Sequence, residues 1–205
     1  FCTGRLDKDN VRRMRSLPWR PWYVLLFVSA INMVNFIDRG IVPGAPIQFG
    51  AFVSASYGVA EDQQSVWIGV ITSSFIGTYS VAVVIFGHLV HHFPPFHLLF
   101  AGLAIWALSL FLSGIAYYFS EVPFTFWFFL LSRALSGVGE ASFQCIVPPY
   151  IEDFAPADKK ALWLGIFFTA IPTGTAIGYV YGAQMASGVG WGAAYLLEAV
   201  GMTPM

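Results

Sequence analysis

Leu131–Ile146 reads Leu-Ser-Arg-Ala-Leu-Ser-Gly-Val-Gly-Glu-Ala-Ser-Phe-Gln-Cys-Ile and sets Arg133 and Glu140 inside an otherwise lipid-compatible helical run. A spacing of seven residues is almost two helical turns, so both charges share one face. A charge at the centre of a bilayer costs roughly 2.5–3.5 kcal/mol on insertion scales. Two on one face are tolerable only where that face looks onto protein or water. The stretch therefore predicts the inner face of a helical bundle and a candidate pathway for a solute or an ion.

The composition around it agrees. Of 205 residues, 57% are hydrophobic and 10% charged, whereas a soluble domain is nearer a quarter charged. This predicts an integral, multi-pass, all-α membrane protein. The net charge of −1 says little; the placement of charge says more. Arg5, Lys8, Arg12, Arg13, Arg15 and Arg20 all precede the first apolar run, mixed with Asp7 and Asp9. They are too few and too mixed for nucleic-acid binding, and residues 1–20 read as a basic cytoplasmic tail under the positive-inside rule. Cys2 and Cys145 give no disulfide framework, and Cys145, in an apolar helix, is expected to pack. The first apolar run is too long for a signal peptide. The chain starts at Phe1 rather than Met, so its true start is expected to lie upstream.

Six spans are predicted within 21–205, at about 22–47, 66–90, 96–119, 124–151, 161–185 and 191–205. Trp19, Trp22 and Tyr23 form an interfacial aromatic belt at the first, whose far end Pro43 and Pro46 unsettle. In the second, Gly69, Gly77 and Gly87, with Ser73, Ser74, Thr78 and Ser80, supply small residues for close helix contact. The third lacks Asp, Glu, Lys and Arg, and is expected to face lipid. In the fifth, Gly174, Gly178 and Gly182 recur every four residues on one face, which admits a close neighbour, and Pro172 is expected to bend the helix. The sixth has fifteen residues before the sequence stops, about 22 Å of helix against a hydrocarbon core of roughly 30 Å. It is expected to be incomplete and the chain a fragment. With the N-terminus in the cytoplasm, the tail and the loop holding Lys159 and Lys160 share that side. The loops assigned to the other side, be it exterior or organelle lumen, contain no Lys or Arg.

Three sites put ionisable groups in the membrane: Asp38-Arg39, Arg133 with Glu140, and Glu198. The first two lie three spans apart, matching the three-helix repeats of many transporters, whose sites sit at the repeat interface. On the functional reading, the carboxylates gain and lose a proton while the arginines tune them or hold an anionic solute. On the structural reading, Asp38 with Arg133, or Arg39 with Glu140, is a fixed pair pinning spans one and four. Glu198 reads more simply as a helix-end charge that snorkels. His88, His91, His92 and His97 match no zinc spacing and read as an exposed turn, with a pH-sensitive gate as the alternative. There is no phosphate-cradling loop, nucleophile elbow or His-Glu-x-x-His. No metal, cofactor or enzymatic activity is expected.

Asn35-Phe36-Ile37-Asp38-Arg39, then Arg133-Ala134-Leu135-Ser136-Gly137-Val138-Gly139-Glu140-Ala141, then Ala170-Ile171-Pro172-Thr173-Gly174 through Gly178-Tyr179 resemble the Spinster branch of the major facilitator superfamily. The three motifs fall in the right order and cover most of the chain, but only the amino-terminal half of a twelve-span protein. The resemblance implies a six-helix amino-terminal bundle, with the sixth helix truncated, working by alternating access against a missing carboxy-terminal half. It implies a lipid substrate such as a sphingoid phosphate or a lysophospholipid, or another organic anion, with protons as the coupling ion in some members. Asp38 and Glu140 match its acidic coupling positions, and Arg39 and Arg133 its basic partners. The gating loop departs from the superfamily's pattern: Gly87 and Leu89 match, but His91 and His92 replace an Asp-Arg pair that latches the cytoplasmic side. The other readings are a proton-coupled carrier of a small hydrophilic solute or drug, and a truncated membrane protein that binds a partner helix through Gly174, Gly178 and Gly182.

Overall fold

A computed structural model describes residues 21–203. The tail 1–20, with Cys2, Trp19 and the six basic residues, and the end of the sixth span at 204–205 lie outside the described residues. The described chain is helical with no strand: α1 Pro21–Gly44, α2 Pro46–Tyr57, α3 Gln64–Leu89, α4 Pro95–Ala116, α5 Thr125–Phe154, α6 Lys160–Gly188 and α7 Trp191–Met202, with 3-10 turns at Glu61–Gln63 and Tyr117–Phe119. Trp22–Gly44, Glu61–Leu89, Pro95–Phe119 and Lys160–Gly188 are long and apolar enough to cross a bilayer. α5 has the length, at 30 residues, but carries the charges. It buries the two in its middle, Arg133 and Glu140, while Glu152 near its end is exposed.

The first span ends earlier than expected. It stops at Gly44, and a separate twelve-residue helix, α2, replaces the expected loop. Pro46 starts it, its fixed φ suiting the first helical turn. Gly58 ends it in the left-handed conformation (φ 72°), donating its N–H to the Ser54 carbonyl. α2 buries Phe49, Phe52 and Val53. Phe49 and Phe52 meet Trp191 at ring-centroid distances of 4.9 and 5.1 Å. Phe129 and Tyr117 each lie 5.2 Å from the same indole. One tryptophan thus joins rings from α2, α5, α7 and the turn after α4.

Helix contacts follow the small residues, though not all those expected. α1 packs along the length of α6. A Cβ on Gly174 would lie 2.6 Å from the Met33 carbonyl oxygen, and one on Gly182 2.7 Å from that of Ile41. Gly178 meets the Ile37 carbonyl still more closely. Gly40 and Gly44 return the approach from α1. The glycine face is therefore filled by α1, which removes it as a docking face for a partner helix. α6 runs on through Pro172. Gly69 and Gly77, by contrast, face open space. The close contact of α3 lies instead at Phe75–Thr78, against Gly137, where the Thr78 hydroxyl donates to the Ala134 carbonyl at 2.8 Å.

The third span was expected to face lipid for want of charge. One face of α4 is in fact wholly covered, with Gly102, Trp106, Ser109, Leu110 and Ser113 buried. A Cβ on Gly139 would lie 2.6 Å from the Trp106 amide, which brings α4 and α5 to near contact. Cys145 does pack, against Ala82, Phe86 and Ala141, and it is not a free thiol.

The bundle divides into two tightly packed groups. α1 pairs with α6, while α5 packs against α3 and α4, and α4 against α7. Between α1 and α5 there is little backbone approach. The charges lie in that seam.

Candidate functional site: a crossed pair of intramembrane charges

Asp38 and Arg39 are neighbours on α1, so they leave the helix about 100° apart. Arg133 and Glu140 lie on one face of α5. The two helices meet through crossed pairs. Arg133 Nη1 lies 2.8 Å from Asp38 Oδ1 and Nη2 3.2 Å from Oδ2, the two-pronged geometry that suits a guanidinium and a carboxylate. The Ser136 hydroxyl donates to the same carboxylate at 3.3 Å and the Trp106 indole N–H at 3.5 Å. Arg39 Nε and Nη2 reach one oxygen of Glu140, at 2.9 and 2.8 Å, while Glu140 Oε1 is buried with no partner among the described residues.

The two pairs differ in access. Asp38 and Arg133 are sealed at 0% and 3% exposure, whereas the Arg39 side chain keeps 24%. The Arg39 guanidinium sits 4.7–4.9 Å from the ring centres of Phe36, Phe75 and Tyr79. Arg133 lies 5.4 Å from Phe75 and 5.2 Å from Tyr195. Phe75 is thus shared by both cations, an arrangement in which ring faces help hold charge away from water. Beside it, Arg39, Arg133, Phe75 and Thr72 line a cavity of about 100 Å³.

The two pairings raised by the sequence both exist at once. What the sequence reading missed is the neutral part of the site. Asn32 donates to the Phe167 carbonyl at 3.0 Å and accepts from Gln144 at 2.6 Å, a second polar tie across the seam. Trp106, Ser136, Phe75 and Tyr195 were also unassigned. A signal for some of them was present: Arg133, Ser136, Glu140 and Gln144 follow helical spacing along a single stripe. The gating-loop residues are elsewhere. Gly87 and Leu89 are partly buried at the end of α3, while His91 and His92 are exposed in the following turn. The Leu89 end is about 21 Å along the axis from Phe75. The His88 and His92 rings lie 4.9 Å apart. Among the described residues, His91 has no side-chain hydrogen bond or ion pair.

A helical bundle with ion pairs buried across a polar seam is an arrangement that membrane transporters share. The model of the Major Facilitator Superfamily matches residues 19–204, and the chain belongs to that superfamily. Its place within it is the Spinster branch. The chain is 36% identical over 209 residues to a probable sphingolipid transporter, spinster homolog 2 of Arabidopsis thaliana, covering 97% of this chain and 42% of the relative. It is 32% identical over 191 residues to Arabidopsis spinster homolog 1, covering 89% and 37%. It is 33% identical over 181 residues to human protein spinster homolog 1, covering 87% and 32%. The chain thus spans less than half the length of these curated relatives.

Proposed function

We propose that the full-length protein is a secondary active transporter that moves a sphingolipid, a lysophospholipid or another organic anion by alternating access, with proton coupling through Asp38 and Glu140. The observation that carries this reading is the Arg39–Glu140 pair. Glu140 grips Arg39 through a single oxygen, and Arg39 opens onto a small cavity lined by Phe75, Thr72 and the aliphatic side chains of Val42, Ile71 and Ile76. An anionic headgroup entering there competes with Glu140 for the guanidinium. A proton on Glu140 removes the competing charge and decides the contest for the headgroup. Losing the proton restores the ion pair and expels the anion. The Arabidopsis relatives, both named as probable sphingolipid transporters, favour a sphingolipid as the substrate.

The sealed Asp38–Arg133 pair holds the seam closed while Arg39 works beside it. In this reading the N-terminus is cytoplasmic, and the carboxy-terminal half supplies the second wall of the pathway. The test is proton-gradient-driven uptake by the full-length protein in proteoliposomes, offered a lysophospholipid, a sphingoid phosphate and a sugar. Lipid uptake that collapses in Glu140→Gln is expected. Uptake of the sugar alone would replace the lipid reading with a hydrophilic solute. Lipid uptake indifferent to the gradient would remove the proton from the mechanism.

A further inference from the structure

We propose that Glu198 is a second proton-binding site of this bundle, a neutral carboxylic acid in this conformation that exchanges its proton with the Asp38–Arg133 pair. Glu198 is 7% exposed and neither carboxylate oxygen has a hydrogen-bond partner among the described residues. A naked carboxylate in a low-dielectric interior costs far more than its protonated form. The side chain is also too deeply covered to snorkel as a helix-end charge would.

Its surroundings hold further unused polar groups. The Tyr195 hydroxyl, one turn earlier on α7, is buried with no hydrogen-bond partner among the described residues, and its ring lies 5.2 Å from the Arg133 guanidinium. Asn35, one turn before Asp38 on α1, has neither side-chain atom satisfied among the described residues. Buried polar groups are normally paired, so orphans on both sides of one ion pair mark a place where hydrogen bonds change hands. The charged groups acting on Glu198 are Asp38 of α1 and Arg133 and Glu140 of α5. Tyr181 of α6 also faces it, its hydroxyl donating to the Ala194 carbonyl. Tyr117, in the turn after α4, packs on Trp191. The covered face of α4 presents Trp106, Ser109 and Ser113, which do not titrate.

The exchange is neutral overall. The O–H bond of Glu198 breaks and one forms on Asp38. Asp38, Arg133 and Glu198 sum to zero before and after. Arg133 loses its counter-charge on α1 and gains one on α7, so the grip across the seam passes from one helix to another. How the protein uses this switch rests on the proton-coupled reading above; the existence of the proton does not.

Infrared difference spectroscopy of the full-length protein in liposomes tests it. At neutral pH the wild type is expected to show the carbonyl stretch of a buried protonated carboxyl. The band should vanish in Glu198→Gln and persist in Glu140→Gln. If Glu198→Gln does not give a monodisperse protein, Glu198→Asp should move the band. A band untouched by either change at Glu198, or no band at all, overturns the proposal. A Glu198 band in a protein whose uptake ignores the proton gradient supports the site and removes proton coupling. Gradient-driven uptake without that band removes the site and leaves the coupling standing.

Discussion

Asp38→Ala is the change whose consequence the geometry defines best. It removes the acceptor for both terminal nitrogens of Arg133, for the Ser136 hydroxyl and for the Trp106 indole N–H. Arg133 is 3% exposed, and an arginine cannot shed its charge in a protein. Stranding one member of a buried pair costs about 3–5 kcal/mol. For a bundle of this size, each kcal/mol lowers the melting temperature by about 2–4 °C, so a fall of about 6–20 °C is expected. Fluorescence-detected size exclusion after heating, on the full-length protein, reads it. The double variant Asp38→Ala/Arg133→Met removes the orphaned cation and should recover most of the loss. Arg39→Met should cost less than Asp38→Ala, because Arg39 is 24% exposed and the Glu140 it leaves behind can take up a proton. If Asp38→Ala melts within about 2 °C of wild type, or the double variant is no better than the single, Asp38 is not the counter-ion that holds this seam.

Other changes separate packing from chemistry. Gly178→Val should abolish a monodisperse protein, since a side chain there meets the Ile37 carbonyl and the Gly40 backbone. Gly165→Ala, open on every side, should be neutral or gain up to about 1 kcal/mol of helix stability, and a matching loss of folded protein in both would show that close approach is not the cause. Trp106→Phe removes a donor at the outer limit of hydrogen-bond distance, so a stability loss much above about 1 kcal/mol would contradict the weak contact assigned to it. His91→Ala, in a full-length transport assay, should alter the pH profile if that side chain serves as the cytoplasmic latch; an unchanged rate and profile would assign the latch elsewhere.

Leu131–Ile146 was readable because charge in a membrane is costly enough to force an interpretation. Few counter-charges exist within the spans, so Asp38 with Arg133, or Arg39 with Glu140, could be raised as alternatives, and the structure holds both. The glycines of α6 were legible for a related reason: three at a spacing of four leave a groove that some helix must enter. Which helix enters is a matter of topology, and Gly40 and Gly44 on α1 gained meaning only once α1 was seen to lie there. Gly69 and Gly77 show the limit of the rule, since small residues permit an approach without compelling one. α2 is not legible because Pro43 and Pro46 read as unsettling the far end of the first span, whereas Pro46 also begins a helix well. Trp106 was hidden by the absence of charge on α4. A span without charges can still supply a donor to a charge on its neighbour.

The short motif from Arg133 to Glu140 does more than place two charges. Arg133, Ser136 and Glu140 turn toward α1, Gly137 admits α3, and Gly139 admits α4. Three neighbours therefore converge on two turns of α5, and they do so in different ways. α3 and α4 are held by backbone approach, which tolerates almost no displacement once a side chain would have to fit between them. α1 is held by ion pairs and the Asn32–Gln144 bond across a seam with little packing. Contacts of the first kind are fixed when the chain folds. Contacts of the second kind are electrostatic, and on the proposed function they answer to a proton on Asp38 or Glu140 and to an anion at Arg39. α5 is thus anchored by packing on two sides and by charge on the third, and on the proposed function that third side is where a change of charge reaches α1 and, through it, α6.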